Sequence, residues 1–315
     1  MNTSKNEHMN LIQSYENNEI VLIEGAVGVR LRTEYGIGSA AYIAHAAHIY
    51  HDAERKALTE IYQQYIQIAE DSNRLMLLTT PTRRANKENV EKAGYTGDIF
   101  QDNVTYFREL TRGSRAELYI GGMMGCKGDA YKATEVLSAR EAYDFHSWQA
   151  DGFLKAGSDF LYAAIMPALP EAIGMAKAME ATGLPYIISF MLRENGRLID
   201  GTTIHDAMET LEGETIRKPL CYMTNCIHPT ILDRALSKEF NKTKLVETRF
   251  RGIQANASPL SPEELDGADE LKTSDCHELA DEMVKLHQKY RLKIYGGCCG
   301  TDHTHIAEMA KLLPR

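Results

Sequence analysis

The sequence has little of several things that would each point somewhere definite. Positive charge is not in excess: 35 Lys and Arg stand against 44 Asp and Glu, a formal net charge of −9. That balance speaks against an extended nucleic-acid footprint or a basic membrane-binding face. No run approaches the ~20 apolar residues that a bilayer span requires. The opening stretch, MNTSKNEHMNLIQSYENNE, is polar and has no apolar h-region, so no secretory signal is expected. The segment EGAVGVRL after the first apolar run lacks the GxGxxG order of a dinucleotide fingerprint. No linker, low-complexity tract or short-period repeat divides the chain. Cysteine is sparse, with six in 315 residues, and a chain of this size needs no disulfide staples. Metal binding or catalysis is the expected use of those thiols, and the cytoplasm the expected compartment.

What is present is a regular alternation. Apolar, nearly uncharged runs occur at 20–25, 74–80, 117–123, 159–167, 185–192, 219–226, 250–257 and 293–299. They read as parallel strands buried on both faces. The third is the weakest, because Gly121 and Gly122 interrupt it. Helical periodicity fills 42–70, 138–156, 169–182, 203–213, 229–239, 275–290 and 302–313, with 98–112 the choice between the second and third strands. Ser138 with Glu141 forms a capping-box pattern, and Gly157 and Gly183 stand as C-terminal caps. Eight strand–helix units over this length predict a single-domain α/β (β/α)8 TIM barrel at 20–315, preceded by a loose N-terminal extension at 1–19. An open doubly wound sheet is the other arrangement that this alternation permits.

A TIM barrel carries its active site at the C-terminal strand ends. Those ends are Glu24-Gly25, Thr80, Gly122-Met123, Met166-Pro167, Ser189-Phe190, Asn225-Cys226, Asn256 and Cys298-Cys299. Three of the six cysteines fall here and would converge over one mouth. Three thiolates suit a soft or borderline cation, with tetrahedral Zn²⁺ first among them. A set of three leaves one position for substrate. An electron-rich all-sulfur site is poorly suited to splitting water and well suited to holding a substrate thiolate. Two other uses stay open on spacing alone: small residues packed at a strand end, or a redox pair, which adjacency disfavours. Cys126, Cys221 and Cys276 read as filler. His45, His48 and His51 read as a wet helical stripe. His228 lies near the mouth, and His303 and His305 open the last helix in capping or supporting roles. Tyr35 and Tyr131 are either loop tyrosines or cation–π partners for a cationic ligand.

These residues resemble a known family. Gly-Gly-Cys-Cys-Gly-Thr at 296–301, followed by His305-Ile306, is similar to the terminal signature of the homocysteine S-methyltransferase family, and Asn225-Cys226 with Pro229 to its upstream cysteine segment. Further likenesses are Ile23 to Gly28, Gly121 to Tyr131, Ala142 to Asp159, Pro185 to Phe190 and Asn256-Ala257, so the similarity runs over about 19–313. It implies a zinc-containing barrel that methylates a thiol, in most members homocysteine, giving methionine. By position, Cys226, Cys298 and Cys299 are the zinc ligands, Glu24 lies near a substrate ammonium group and Asn225 shapes the mouth. Gly25 and Ser189 complete the expected substrate contacts.

The chain departs from the family's pattern at three loops. Ala164-Ile165-Met166-Pro167 replaces the usual Glu-Thr ahead of a small residue and Pro. Thr80-Pro81-Thr82, with Arg83-Arg84 behind it, replaces Thr-Asn-Thr. Gly121-Gly122-Met123-Met124-Gly125-Cys126 replaces a Gly-Ser-x-Gly-Pro pattern. Weak activity on homocysteine is the expectation from Ala164, and Arg83 or Arg84 would favour an acidic substrate group, at most one of the two facing the site. The expected reaction is in-line methyl transfer to a thiol held by zinc. The expected partners are small molecules, a thiol and a methyl donor of sulfonium, betaine, folate or corrinoid type, the last on a separate corrinoid protein. No nucleic-acid or membrane partner is expected. A zinc-binding barrel that has lost methyl transfer and binds a thiol or a corrinoid protein is the second reading.

Overall fold

Each apolar run forms a strand in the computed structural model, which describes residues 10–260 and 274–315. In chain order they are β1 (Val21–Ile23), β2 (Met76–Thr79), β3 (Leu118–Gly125), β4 (Phe160–Met166), β5 (Tyr186–Phe190), β6 (Cys221–Ile227), β7 (Phe250–Ala255) and β8 (Ile294–Gly297). All pairings are parallel, and β8 pairs with β1 through Val21↔Ile294 and Leu22↔Tyr295, which closes the sheet. Closure excludes the open doubly wound arrangement. The glycines of β3 do not weaken it. A Cβ at Gly121 would meet the Phe160 ring, and one at Gly122 the Phe153 ring, so their absence lets two aromatic side chains pack flat against the strand.

The main helices are α3 (Asp52–Ser72), α5 (Asp98–Leu110), α6 (Ala139–Ala156), α7 (Leu169–Thr182), α8 (Ile204–Glu214), α9 (Pro229–Leu236), α11 (Cys276–Tyr290) and α12 (His303–Leu312). The shorter α1 (Leu11–Asn17), α2 (Gly28–Tyr35), α4 (Lys87–Lys92) and α10 (Lys244–Arg249) fall outside the periodic stretches of the sequence. Local chemistry sets the ends. Ser138 and Glu141 exchange the two hydrogen bonds of a capping box, and Gly157 and Gly183 take the left-handed cap conformation at φ 74° and 80°.

Two stretches differ from the sequence expectation. The helix placed at 42–70 begins only at Asp52, because Tyr42 and Ala44 adopt positive φ and Ala40 bridges back to Ala44. Asp52 and Glu54 then supply the negative charge that favours a helix N-terminus. From Asn10 onward, the extension is not loose. The Asn10 side chain caps α1, Leu11, Ser14 and Tyr15 are buried, the Ser14 hydroxyl meets Tyr119 Oη at 2.8 Å, and the Lys293 ammonium lies 4.6 Å over the Tyr15 ring. The helix covers the N-terminal end of the barrel, opposite the mouth.

Candidate active site

The mouth is shaped by two irregular strand ends. Pairing of β4 with β5 slips between Ala163 and Met166, and pairing of β6 with β7 slips between Asn225 and Ile227. Each slip coincides with a non-glycine residue at positive φ, Ile165 at 55° and Cys226 at 63°. Such backbone costs on the order of 1–3 kcal/mol and persists only where neighbours hold it. Asn225 is the holder: its Oδ1 accepts from the Ile165 backbone N–H at 3.0 Å and from the Ser189 hydroxyl at 2.6 Å. Asn256 Nδ2 donates to the Cys226 carbonyl at 2.9 Å, which steadies the second slip.

The β8 end is fixed as tightly. A Cβ at Gly296 would collide with the β1 backbone at Ile23 and Glu24, and one at Gly297 with Thr301. Cys298 N–H donates to Ala255 O at 2.6 Å, Ala257 N–H to Cys299 O at 3.0 Å, and the Thr301 hydroxyl to Cys298 O at 2.7 Å. The result is a cluster. The Sγ atoms of Cys226 and Cys298 are in contact, and Cys299 Sγ joins them in a group whose ligand atoms all lie within 4.8 Å of one another. Tetrahedral zinc with ~2.3 Å bonds separates its sulfurs by about 3.8 Å, so Cys226 and Cys298, reduced to thiolates and moved apart, would with Cys299 fit such an ion. No histidine or carboxylate of the described residues joins the group.

Beside the sulfurs lies a cavity of about 350 Å³. Its floor is a polar layer inside the barrel. Glu24 accepts from the Thr79 backbone N–H at 3.2 Å and from the Thr79 hydroxyl, and Gln254 bridges Tyr162 Oη at 2.7 Å to the Glu24 carbonyl at 3.3 Å. Burial pushes the Glu24 carboxyl up to about 7, with the Thr79 hydrogen bonds pulling the other way. Burial also raises the Cys299 thiol, against the charges of Arg83 and Arg32. The wall includes Met123, Tyr131, Ala164 and Ile165, and the rim includes Arg32, His45 and Arg83.

Of the residues singled out from sequence, Glu24, Gly25, Asn225, Cys226, Cys298 and Cys299 line this cavity. Ser189 does not; it lies beneath, bonded to Asn225. Tyr131 lines the cavity and Tyr35 does not. Arg83 faces it, whereas Arg84 donates to Gly128 O at 3.3 Å. Cys126 and Cys221 are buried, with thiols pushed up to about 12 by burial, and neither joins the cysteine cluster. His228 caps α9, and His305 completes the cap of α12 with Asp302.

Some lining residues escaped the sequence reading. His45 is not on a helical stripe: it sits over Gly28 at the rim, shares a hydrogen bond with His48 at 3.1 Å, and is held neutral, its pKa lowered to about 4 by burial, His48 and Arg83. Arg32 and Gln254 also went unremarked. A glutamine inside the apolar run 250–257 was the available signal for Gln254; Arg32 had none beyond following the first strand.

Three comparisons with known proteins bear on this arrangement. The chain is 26% identical over 190 residues to homocysteine S-methyltransferase YbgG of Bacillus subtilis, covering 58% of this chain and 56% of that protein. It is likewise 26% identical over 187 residues to homocysteine S-methyltransferase of Escherichia coli, covering 58% and 55%. The aligned region thus spans about half the length of these relatives. The metallated crystal form of the E. coli homocysteine methyltransferase MmuM superposes with a TM-score of 0.75 at 19% identity, over 94% of this chain and 97% of that one, a likeness of fold. The homocysteine S-methyltransferase family profile matches residues 21–313, from β1 through α12, and the chain belongs to that family.

Proposed function

We propose that the chain is a zinc-dependent S-methyltransferase acting on a small thiol. The observation that carries the reading is the convergence of Cys226, Cys298 and Cys299 from two separate strand ends onto one point, beside a cavity large enough for a small molecule. Family membership and the metallated state named for the E. coli structure support it.

Cys226, Cys298 and Cys299 would hold the metal, and an all-sulfur donor set favours zinc over harder cations. When bound, zinc supplies the positive charge that keeps a substrate thiol ionised near neutral pH. The chain's own residues do the rest. Asn225 fixes the backbone of the β4 slip through Ile165, and Asn256 fixes that of the β6 slip at the Cys226 carbonyl, so that Cys226 lines the cavity. Met123, Tyr131, Ala164 and Ile165 exclude water from the reacting sulfur. The new S–CH₃ bond forms as the donor's bond to that methyl group breaks, and the thiol proton leaves to solvent. Orientation in line is the cavity's main contribution. A cationic donor would find the Tyr131 ring. A corrinoid donor would come on a separate protein.

The second reading is a zinc barrel that binds thiols without transferring methyl groups. Ala164, an uncharged residue in the cavity wall, favours it. One experiment separates the two. Zinc-loaded protein is incubated with a panel of thiols and with sulfonium, betaine and folate donors, and products are read by mass. A gain of one methyl group on any thiol supports transfer. Thiol binding without product from any donor supports the binding module.

A further inference from the structure

Among the described residues, the rim of the cavity carries more positive charge than the walls neutralise. Arg32 from α2 and Arg83 from the loop after β2 both line it. Arg83 is held there by its stem: a Cβ at Gly125 would meet Arg83 Cγ, so the glycine is the space that the side chain crosses. Gly125 is the β3 residue in register with Ala164. The guanidinium stem therefore lies on the side of the mouth where β4 presents neither bulk nor charge. Among the described residues, neither Arg32 nor Arg83 has a carboxylate hydrogen-bonded or ion-paired to it, whereas Arg30, Arg108, Arg234 and Arg249 each do. Glu24 is the one carboxylate among the described lining residues, and it already accepts two hydrogen bonds from Thr79.

We infer that the cavity selects a thiol bearing an acid group and no ammonium group, with the acid held by Arg83 and Arg32 while the sulfur faces the cysteine cluster. The inference rests on the thiol-transfer reading above and adds the acceptor's chemical class. Arginine stays charged at any working pH and presents a planar donor fork that matches a carboxylate or a sulfonate. An ammonium group entering the same cavity meets two like charges and a single carboxylate that is already engaged.

The test uses the zinc-loaded full chain and four thiols: homocysteine, γ-mercaptobutyrate (the same skeleton without the amino group), mercaptoethanesulfonate and the neutral mercaptopropanol. Binding is read by calorimetry and methylation by mass. We expect γ-mercaptobutyrate or mercaptoethanesulfonate to bind about 10- to 150-fold more tightly than mercaptopropanol, the worth of one charge-assisted hydrogen bond, and more tightly than homocysteine, whose ammonium group meets like charge. Which of the two acids binds better tells carboxylate from sulfonate. The preference should shrink as salt is raised. Arg83→Gln should abolish the preference of the acids over mercaptopropanol while mercaptopropanol still binds, Arg83→Lys should retain part of it, and Arg84→Gln all of it. Equal binding of homocysteine and γ-mercaptobutyrate, or a preference that survives Arg83→Gln, overturns the inference and leaves thiol transfer standing. Failure of every thiol to bind zinc-loaded protein overturns both.

Discussion

The β6–β8 side of the mouth and the β2–β4 side are built by different means. On the first, backbone geometry dominates. Gly296 lets β8 press against β1 and Gly297 leaves room for Thr301, a strand slip turns Cys226 inward, and Asn256 holds that slip with a side-chain hydrogen bond while Asn225 holds the β4 slip at Ile165. Few other side chains would satisfy those constraints. On the second, side chains cross open space. Arg83 reaches over Gly125, Met123 and Tyr131 form wall, and Ala164 is small. On the proposed function, the cysteine side is the socket for chemistry, and the other side a surface on which substrate choice can change without disturbing the socket.

The division can be broken most decisively at the socket. Cys298→Ala with Cys299→Ala leaves one of three sulfurs, and metal content should fall from about one zinc per chain to none. Activity should drop by more than the ~10–100-fold typical of losing a residue that merely supports a ligand. Elemental analysis of the reduced protein checks it, and unchanged stoichiometry would place the metal elsewhere.

Glu24, between the two sides, sharpens the comparison through pH. Its pKa rises from 4.5 to about 7 on folding, so the folded metal-free chain binds that proton more tightly than the unfolded one. Below pH ~4.5 both states are protonated, and the group carries no penalty. As pH rises from ~4.5 to ~7, stability falls by at most about 3 kcal/mol. Glu24→Gln should remove that slope in urea titrations of metal-free protein; a wild-type slope retained in the variant would assign the pH dependence to other groups.

On the adaptable side, Ala164→Glu should raise kcat/KM for homocysteine by about 10- to 150-fold, one charge-assisted hydrogen bond to its ammonium group. Zinc content should not change. A loss of zinc would show that the two sides are mechanically coupled. The smallest effect is expected beneath the socket. Ser189→Ala removes a single hydrogen bond to Asn225 and should cost about 1 kcal/mol of stability with little change in metal affinity, as measured by denaturation and a zinc-chelator competition.

The eight strands and most of the helices were legible in the chain, because period and cap chemistry are local properties; the alternation favoured a barrel, but its closure rests on the pairing of β1 with β8, far apart in sequence. So was the cysteine cluster, because the C-terminal ends of barrel strands share one mouth whatever the loops do. Residues 261–273, part of the stretch after β7, lie outside the described residues. The rest required the three-dimensional structure. Nothing local in Ile165 or Cys226 favours positive φ; both adopt it at strand slips, with Ile165 held by the Asn225 side chain and Cys226 by that of Asn256, each from a neighbouring part of the barrel. His45 read as part of a helix, since its spacing is helical, but turns at Tyr42 and Ala44 swing it to the rim. The choice between Arg83 and Arg84 is likewise tertiary: Gly125 and Gly128 lie on a different strand and loop, one leaving room for Arg83 and the other offering its carbonyl to Arg84. Sequence by itself determined which elements form and where reactive sulfur gathers, since those follow from short-range periodicity and from the topology it dictates. Only the tertiary structure decided which side chains face that sulfur, because that depends on contacts between residues far apart in the chain.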